Sequence, residues 1–578
     1  MVKHLLLFSL LAIPFVPSMG QTIKKADNVA MFNISSNGKY ACSSNSNEGT
    51  VVIWNTEEDN ALTTFNDDYY YGDAISDDGT VAGSIGVTGQ EKPVIISGDK
   101  ITNLPMPSDI TWSYGSGRGI SPDGTMVCGH LTRGYVNIMG NVIFTLPYVW
   151  EINGDQITCT ALPYPEKDFT GRCPQGYHPL FVSTDKNRIL GRQIDYSGLA
   201  GAIVVWQRTA PGEPWNYTLL GEDLIYKDGP AFPAFPEEPE AIDYTQYMTE
   251  DEIAAYNEAF QEWTNNGYVG ESPKREDFIT DETRKAQYLE ALTAYNAAVD
   301  EYSKAIDAFN EVYYQRMTGC SLDLYSMSGS FNGRYVGCTL QTVDMSDYFP
   351  TTITYPLYYD LNDNNKCYKL EKDQYKNTGM AGHITDAGDL VISNPAMASI
   401  YDPRNSYVVP AGKDQPEMFY TYLSDKTGGK VNRQTFVDAG MAYSWTDYST
   451  GEPTEVTDSV LVGSALLSAD GMNAMGFSTN PSTFTFSSWA INGGSTTGIH
   501  SAAVKGTEKV LRTNVIEDGT IEYVADAASA MIYDMSGAVV FSGRVQNGSI
   551  AAPTKSGMYL LRTKLNDGSL TTDKIIVK

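Results

Sequence analysis

The chain has 578 residues, a net charge of −30 and an aromatic share of 11%, with 38 Tyr against 20 Phe and 8 Trp. The acidic balance argues against nucleic acid as a partner, because phosphate binding needs clustered Lys and Arg. The length allows several domains and a large buried core, and the Tyr-rich composition favours strands over helices.

Lys3 and His4 precede an apolar run from Leu5 to Val16, and Ser18-Met19-Gly20 puts small residues before Gln21. This pattern predicts a secretory signal peptide over residues 1–20. The run is too short to span a bilayer, and no later stretch approaches the roughly 20 apolar residues required, so no transmembrane segment is expected. No Cys follows the run, which argues against a lipid anchor. The expectation is a protein exported through the periplasm, then secreted or held on the outer cell surface.

Ser121-Pro122-Asp123-Gly124 reads as a tight turn between two short strands, and it has relatives along the chain. They are Ser35–Gly38, Ser76–Gly79, Ser183–Asn187, Gly329–Gly333, Thr385–Gly388 and Ser468–Gly471. Asp-Gly and Asn-Gly supply the positive φ angles that two-residue hairpins need. A third strand follows each turn, often ending in Trp, as in Val51-Val52-Ile53-Trp54 and Ile203-Val204-Val205-Trp206. A second turn and a fourth strand close the unit, clearest at Ile152–Cys159. Four strands per repeat is the blade of a β-propeller, and the 41 residues from Gly38 to Gly79 fit a blade repeat. The reading is a mainly β chain with a seven-bladed β-propeller over residues 25–503, six or eight blades being the alternatives.

A helical-hairpin insertion is predicted at about residues 240–318. The Pro-rich stretch Phe232–Pro239 ends the strand region, since Pro removes ladder donors. Thr249 with Glu252 makes a capping box, followed by Ile253, Tyr256, Phe260 and Trp263 at helical spacing. A second helix starts near Thr280 and carries Leu292, Tyr295, Val299, Tyr302, Ile306, Phe309 and Tyr313. Their alternating steps of three and four predict a seam against a partner helix, or an arm offered to a protein partner. From about Val510 the pattern changes to seven short strands with polar turns, a small antiparallel, Ig-like sandwich of roughly 70 residues.

Seven Cys (42, 128, 159, 173, 320, 338 and 367) leave at least one unpaired within the monomer. Cys42 and Cys128 stand four residues after their turn glycines, which suits small core residues; one disulfide through Cys173 or Cys320 stays open. Most catalytic signatures are missing: there is no H-E-x-x-H, C-x-x-C, G-x-S-x-G or P-loop. Asp360–Glu371 imitates a calcium loop, but its sixth position is Asn and strands flank it, so a simple turn is the better reading. No metal or cofactor is expected.

The segment 510–578 resembles the C-terminal sorting domain of type IX secretion substrates in the Bacteroidetes. The resemblance is carried by Met531–Val540, with Asp534, Ser536 and Gly537, then by Ser556–Arg562, with Gly557 and Tyr559, and by the end Asp573–Lys578, with Lys574 and Lys578. It implies recognition by the outer-membrane type IX machinery, with the cargo afterwards released or attached to surface lipopolysaccharide. The repeated turns resemble those of TolB-like and other WD40-like propellers.

Function has to be read from position. In a propeller the innermost strand of each blade lines the channel, and the loops entering it open on one face. Those stretches hold Tyr69, Tyr70, Tyr71 and Asp73; Trp112, Tyr114 and Arg118; Tyr177 and His178; Tyr325; and His383. Aromatic faces with polar tips at a channel mouth suit recognition by stacking and hydrogen bonds. The expected function is therefore a non-catalytic propeller that binds a glycan or protein. The alternatives are a glycan-cleaving enzyme, whose acid pair from separate blades leaves no local motif, and a structural component of the cell envelope.

Overall fold

In the computed structural model, the turns that the sequence repeats are closed by their own side chains. Ser121 Oγ donates to Asp123 Oδ1 at 2.6 Å and accepts the Met126 amide at 3.0 Å. Ser183, Ser330 and Ser468 bond in the same way to Asp185, Asn332 and Asp470. These serines are buried, and a buried hydroxyl left unpaired costs about 1–3 kcal/mol, which fixes the residue type. The described residues are 22–45, 49–65, 70–87, 89–108, 111–137, 140–194, 201–344, 351–370, 380–393, 406–413, 415–447, 453–481, 483, 485–493, 511–516, 519–524, 527–534, 539–566 and 570–578. The chain divides into two compact units, residues 1–494 and 495–578.

The first unit is built of antiparallel four-strand sets. Set one comprises Asn33–Ile34, Tyr40–Asn45, Thr50–Asn55 and Leu62–Phe65; set two, Tyr70–Ile75, Val81–Ile85, Lys92–Ser97 and Lys100–Asn103. Set three has Tyr114–Ile120, Met126–Asn137, Gly140–Asn153 and Gln156–Ala161; set four, Gly176–Val182, Arg188–Ile194, Ile203–Gln207 and Asn216–Leu220. A single parallel bridge, Thr145 to Gly176, joins sets three and four into one eight-stranded sheet. Set five has Cys320–Gly329, Tyr335–Asp344, Thr351–Asp360 and Lys366–Lys369; set six, Met380–Ile384, Leu390–Ser393, Tyr407–Val409 and Glu417–Met418. Set seven takes Ser464–Leu467, Asn473–Thr479 and Phe486–Asn492 from the far end of the unit and completes itself with Lys24–Asp27. These are sheets of the kind that form propeller blades.

Hydrogen bonds between turns link each set to the next. The Asn37 amide donates to Asp77 Oδ1 at 2.8 Å, and the Asp77 amide to the Pro122 carbonyl at 2.8 Å. Lys186 Nζ meets Asp123 Oδ2 at 2.7 Å, and the Thr184 amide meets the Phe331 carbonyl at 2.7 Å. The Asn332 amide reaches Asp386 Oδ1 at 2.7 Å, the Asp386 amide the Ala469 carbonyl at 3.0 Å, and the Ala469 amide the Ser36 carbonyl at 2.8 Å. The series therefore returns to set one. The first strands of adjacent sets also touch in this order, except that the first strand of set five is met by the second strand of set four, which places the first strands innermost.

The third-strand tryptophans explain themselves. Trp54, Trp150, Trp206 and Trp489 are fully buried, and each indole N–H reaches a carbonyl: Glu58, Pro105, Pro163 and Val462, at 2.7–2.9 Å. A buried indole needs such an acceptor, and here it clamps a neighbouring loop to the set. From Asp360 to Leu370 the calcium-like stretch is a plain hairpin, with Asn364 and Asn365 at φ of 51° and 54° and Asp360 paired with Lys366, while Glu371 lies outside the described residues.

Between sets four and five the chain forms a short helix, α1 (Glu222–Ile225), then the Pro-rich stretch, then α2 (Glu250–Asn265) and α3 (Glu282–Arg316). The Thr249/Glu252 capping box is present, and Asp281 caps α3. At 1.5 Å per residue α3 is about 50 Å long, roughly twice the length of α2. The seam of α3 meets α2 over its first part. Ile253 and Tyr256 of α2 pack with Tyr288 and Leu292 at the start of α3. Towards its other end, α3 is covered by the Pro-rich stretch: Phe309 lies 5.6 Å from Phe232 and 5.0 Å from Phe235, ring centre to ring centre. The Arg172 guanidinium sits over Phe235, Phe309 and Tyr313, anchoring the base of the arm.

A second insertion, between sets six and seven, carries no turn of the repeated type. It holds α4 (Phe419–Lys426), α5 (Arg433–Asp438) and the hairpin Ala442–Asp447 with Thr454–Val460. Phe419, Tyr422, Leu423 and Phe436 form a core around Trp489 of set seven.

The second unit contains a five-stranded sheet, in the order Val515–Ile516, Leu570–Val577, Gly557–Leu565, Ala527–Tyr533 and Val539–Arg544. A two-stranded sheet, Thr520–Glu522 with Ser549–Ala551, shares its core through Ile521 and Ile550. Strict alternation buries Ile575 and Val577 and exposes Lys574, Ile576 and Lys578, the period of a half-buried strand. One pair, Val515–Ile516 with the last strand, is parallel, where an all-antiparallel sheet was expected.

Candidate functional site

The innermost strands carry a recurring bulge three residues before the turn Ser or Thr. Pairing to the second strand skips Asp73, Arg118, Leu180 and Gly382 in sets two, three, four and six. A bulge re-aims the side chain it carries. The leaning backbone also explains the glycines of the second strands. A Cβ on Gly83, Gly129 or Gly191 would collide with the carbonyl oxygens of Tyr71, Ser116 or His178.

Two of the bulged residues form an ion pair across neighbouring sets. Arg118 Nη1 lies 3.0 Å from Asp73 Oδ1, and Ser116 Oγ donates to Asp73 Oδ2 at 3.1 Å. The Arg118 and Asp73 side chains keep 31% and 21% exposure, so the pair is reachable from solvent. Strand register adds two more residues. His130 stands opposite Ser116, and Arg192 stands opposite His178. The His130 and His178 rings are 4.6 Å apart and tilted by 37°, with Tyr114 edge-on to His130 at 6.4 Å.

The electrostatics of this cluster follow from burial between two guanidinium groups. His130 is only 6% exposed, and its Nδ1 has no hydrogen-bond partner. Burial first, then Arg118 and Arg192, push its imidazole down to about 3. The same burial, with His130, Arg192 and Arg118, pushes His178 well below the usual histidine range. Both rings are therefore neutral near pH 7, each with one N–H donor and one acceptor.

The structure brings Asp73, Tyr114, Arg118 and His178 together and adds Ser116, His130 and Arg192 from positions outside the sequence argument. Tyr71 lies on the first strand of set two, half-buried. Tyr69 and the side chains of Tyr70 and Tyr325 lie outside the described residues. Tyr177 is fully buried; its hydroxyl donates to the Pro165 carbonyl at 2.5 Å and accepts from Gln193 Nε2 at 3.0 Å. Trp112 is half-buried, packs edge-on against Tyr148 and donates to the Pro107 carbonyl at 3.0 Å. His383 stands in set six, buried against Phe331 of the neighbouring turn, with burial holding its imidazole down to about 4.

A separate cleft at the base of the arm is lined by Asp168, Phe169, Gln193, Glu222 and Tyr226. Burial, Asp168 and Asp223 raise the Glu222 carboxyl, an arrangement that invites an acid-pair reading. The cleft has room for about one water molecule, too little for a sugar ring. Among the described residues no group of three or more His, Cys, Asp or Glu is placed to hold a metal ion. No disulfide joins any of the seven cysteines, all of which lie among the described residues.

In the second unit, Tyr559 is buried and its hydroxyl donates to the Lys555 carbonyl at 2.7 Å. Lys574 is exposed opposite Leu560, the Lys578 amide donates to the Ile516 carbonyl at 2.9 Å, and Gly557 pairs with Val577. Asp534 follows the strand Ala527–Tyr533, while Ser536 and Gly537 lie outside the described residues.

No family model matches the chain, and no curated protein matches it. Among solved structures it is similar to the β-propeller domain of Cps50 (Swd1) from Myceliophteria thermophila, at 9% identity and TM-score 0.26, covering 66% of this chain and 79% of that one. A streptogramin B lyase matches at 8% identity and TM-score 0.28, covering 82% of this chain and 99% of that one. An ancestral GH74 enzyme matches at 8% identity and TM-score 0.23, covering 94% and 72%. At such scores the case for the fold rests on the strand sets and the turn-to-turn hydrogen bonds, not on the likeness.

Proposed function

We propose that the chain is an exported, seven-bladed propeller that binds a glycan or a protein without altering it, each strand set serving as one blade. The observation that carries this reading is the bulge-aimed pair Asp73–Arg118, half-buried on the innermost strands beside Tyr114, Ser116, His130 and His178. Polar groups gathered from three sets at one inner surface, with aromatic rings beside them, suit recognition. Tyr71→Ala and Tyr114→Ala should abolish capture of glycans or surface proteins while the thermal midpoint stays unchanged. Capture retained by both variants removes the site.

The second unit serves, on this proposal, as an Ig-like type IX sorting domain, partnered by the secretion machinery and leading to secretion or lipopolysaccharide attachment at the cell surface. The support is its sequence motifs, together with a small two-sheet core of its own. Deleting residues from Val510 onward should trap the protein in the periplasm. Normal surface delivery of that truncation refutes the assignment.

A further inference from the structure

We propose that the Asp73–Arg118 cluster binds a carboxylated sugar, with Asp73 occupying in the free protein the place that the ligand's carboxylate takes on Arg118. This names the ligand class of the channel site and rests on the binding reading above.

In a chain of net charge −30, Arg118 and Arg192 flank one inner cluster, and both act on the same two histidines. Arg118 offers a planar fork suited to carboxylates, and Asp73 engages it through Nη1 at 3.0 Å. Its Nε is buried without a hydrogen-bond partner. The guanidinium is therefore only partly satisfied by its partner in the chain. Asp73 is held from the other side by Ser116 Oγ, so it keeps a partner when it gives up Arg118.

The remaining groups suit a sugar more than a simple anion. His130, which feels the Arg118 charge, keeps a buried Nδ1 without a hydrogen-bond partner. A neutral imidazole serves a hydroxyl as donor or acceptor, and Asp73, once displaced, accepts from a second hydroxyl. Tyr114, edge-on to His130, places a flat ring next to these groups.

The test uses the full chain and two probes that differ only in charge: an oligogalacturonate and the same oligomer with its carboxylates methyl-esterified. Titration calorimetry should show binding of the acid form and loss of it on esterification. Arg118→Met should weaken binding roughly ten- to hundredfold, the range for a charge-assisted hydrogen bond. Asp73→Asn should strengthen it, by up to roughly fivefold, because the competing carboxylate is gone. A merely structural Asp73 predicts the opposite sign. Equal binding of the two probes, or weaker binding by Asp73→Asn, overturns the carboxylate inference while leaving the channel site standing. Binding of both probes that Tyr71→Ala, Tyr114→Ala and Arg118→Met all leave unchanged overturns the channel site as well. Failure of the wild-type chain to bind the acid probe overturns the inference outright.

Discussion

Asn37 and Asp77 belong to neighbouring turns, and they meet through two hydrogen bonds that another pair repeats almost unchanged. The Asn37 amide reaches Asp77 Oδ1 at 2.8 Å and Asn37 Nδ2 reaches the Asp77 carbonyl at 3.1 Å. Asn332 does the same to Asp386, at 2.7 and 3.1 Å. Ser36 Oγ adds a further bond to Asp77 Oδ2 at 2.8 Å. Asp77→Ala and Asp386→Ala should each lower stability by about 1–3 kcal/mol, the range for hydrogen bonds to a charged group. The two sites share no partner, so the losses should add in the double variant. A double variant no less stable than either single one contradicts the idea that the turns hold the sets together.

The arm should respond to acid through Glu252. Its carboxylate accepts from both Arg284 guanidinium nitrogens at 2.6 and 3.1 Å, from Thr280 and from the Thr249 amide. The Arg284 bonds above all hold it well below the usual carboxylate range. A group whose folded pKa is depressed stabilises above its unfolded pKa, about 4.3 for Glu, and loses that contribution as pH falls further. Limited proteolysis of the hairpin should therefore be steady above about pH 5 and accelerate below about pH 4. The Glu252→Gln variant should start faster and change less with pH. Identical pH profiles for variant and wild type refute the role.

The buried histidines act in a higher range. His130, His178 and His383 are all held below the ordinary histidine pKa in the folded chain, His130 to about 3 and His383 to about 4. The unfolded chain takes up protons near pH 6.5 and the folded one does not, so stability falls as pH drops below about 6.5. The melting temperature should decline from pH 7 to pH 5, and His130→Gln should flatten that decline. A midpoint that stays level over this interval contradicts the burial of neutral rings.

All seven thiols should titrate after unfolding without reductant, because the chain holds no disulfide. In the folded chain Cys173 is exposed and should react first, whereas Cys42, Cys128 and Cys338 are buried and should be protected. Burial also pushes the Cys159 thiol up to about 12, which removes its thiolate at neutral pH. Fewer than seven thiols in the unfolded, unreduced chain would show a pairing that the fold does not contain.

The legible parts of this fold are those whose chemistry is local. A Ser, an Asp or Asn and a Gly within four residues specify a turn, and a Trp at the end of a third strand finds its acceptor in a nearby loop. The helix seam was legible as a period but not as a partner: periodicity states that Phe309 is covered, not that Phe232 and Phe235 cover it. The same limit applies to the site. Asp73, Arg118 and His178 stand on first strands, where the argument from channel position looks. His130 and Arg192 stand on second strands and enter by register, opposite Ser116 and His178. Counting outwards from each turn in both directions reaches them. The second insertion, α4 to Val460, carries no turn of the repeated type and so left only an unexplained gap in the spacing.

The central claim is that the propeller unit binds and does not transform. The most direct test presents the chain from Gln21 onward with mixed glycans and with host and bacterial surface proteins. Mass spectrometry then reads both what is retained and whether it has changed. The account predicts a retained ligand of unaltered mass, lost from the Tyr71→Ala and Tyr114→Ala variants. A ligand released with altered mass would contradict it, and would move the search to acid pairs drawn from separate strand sets.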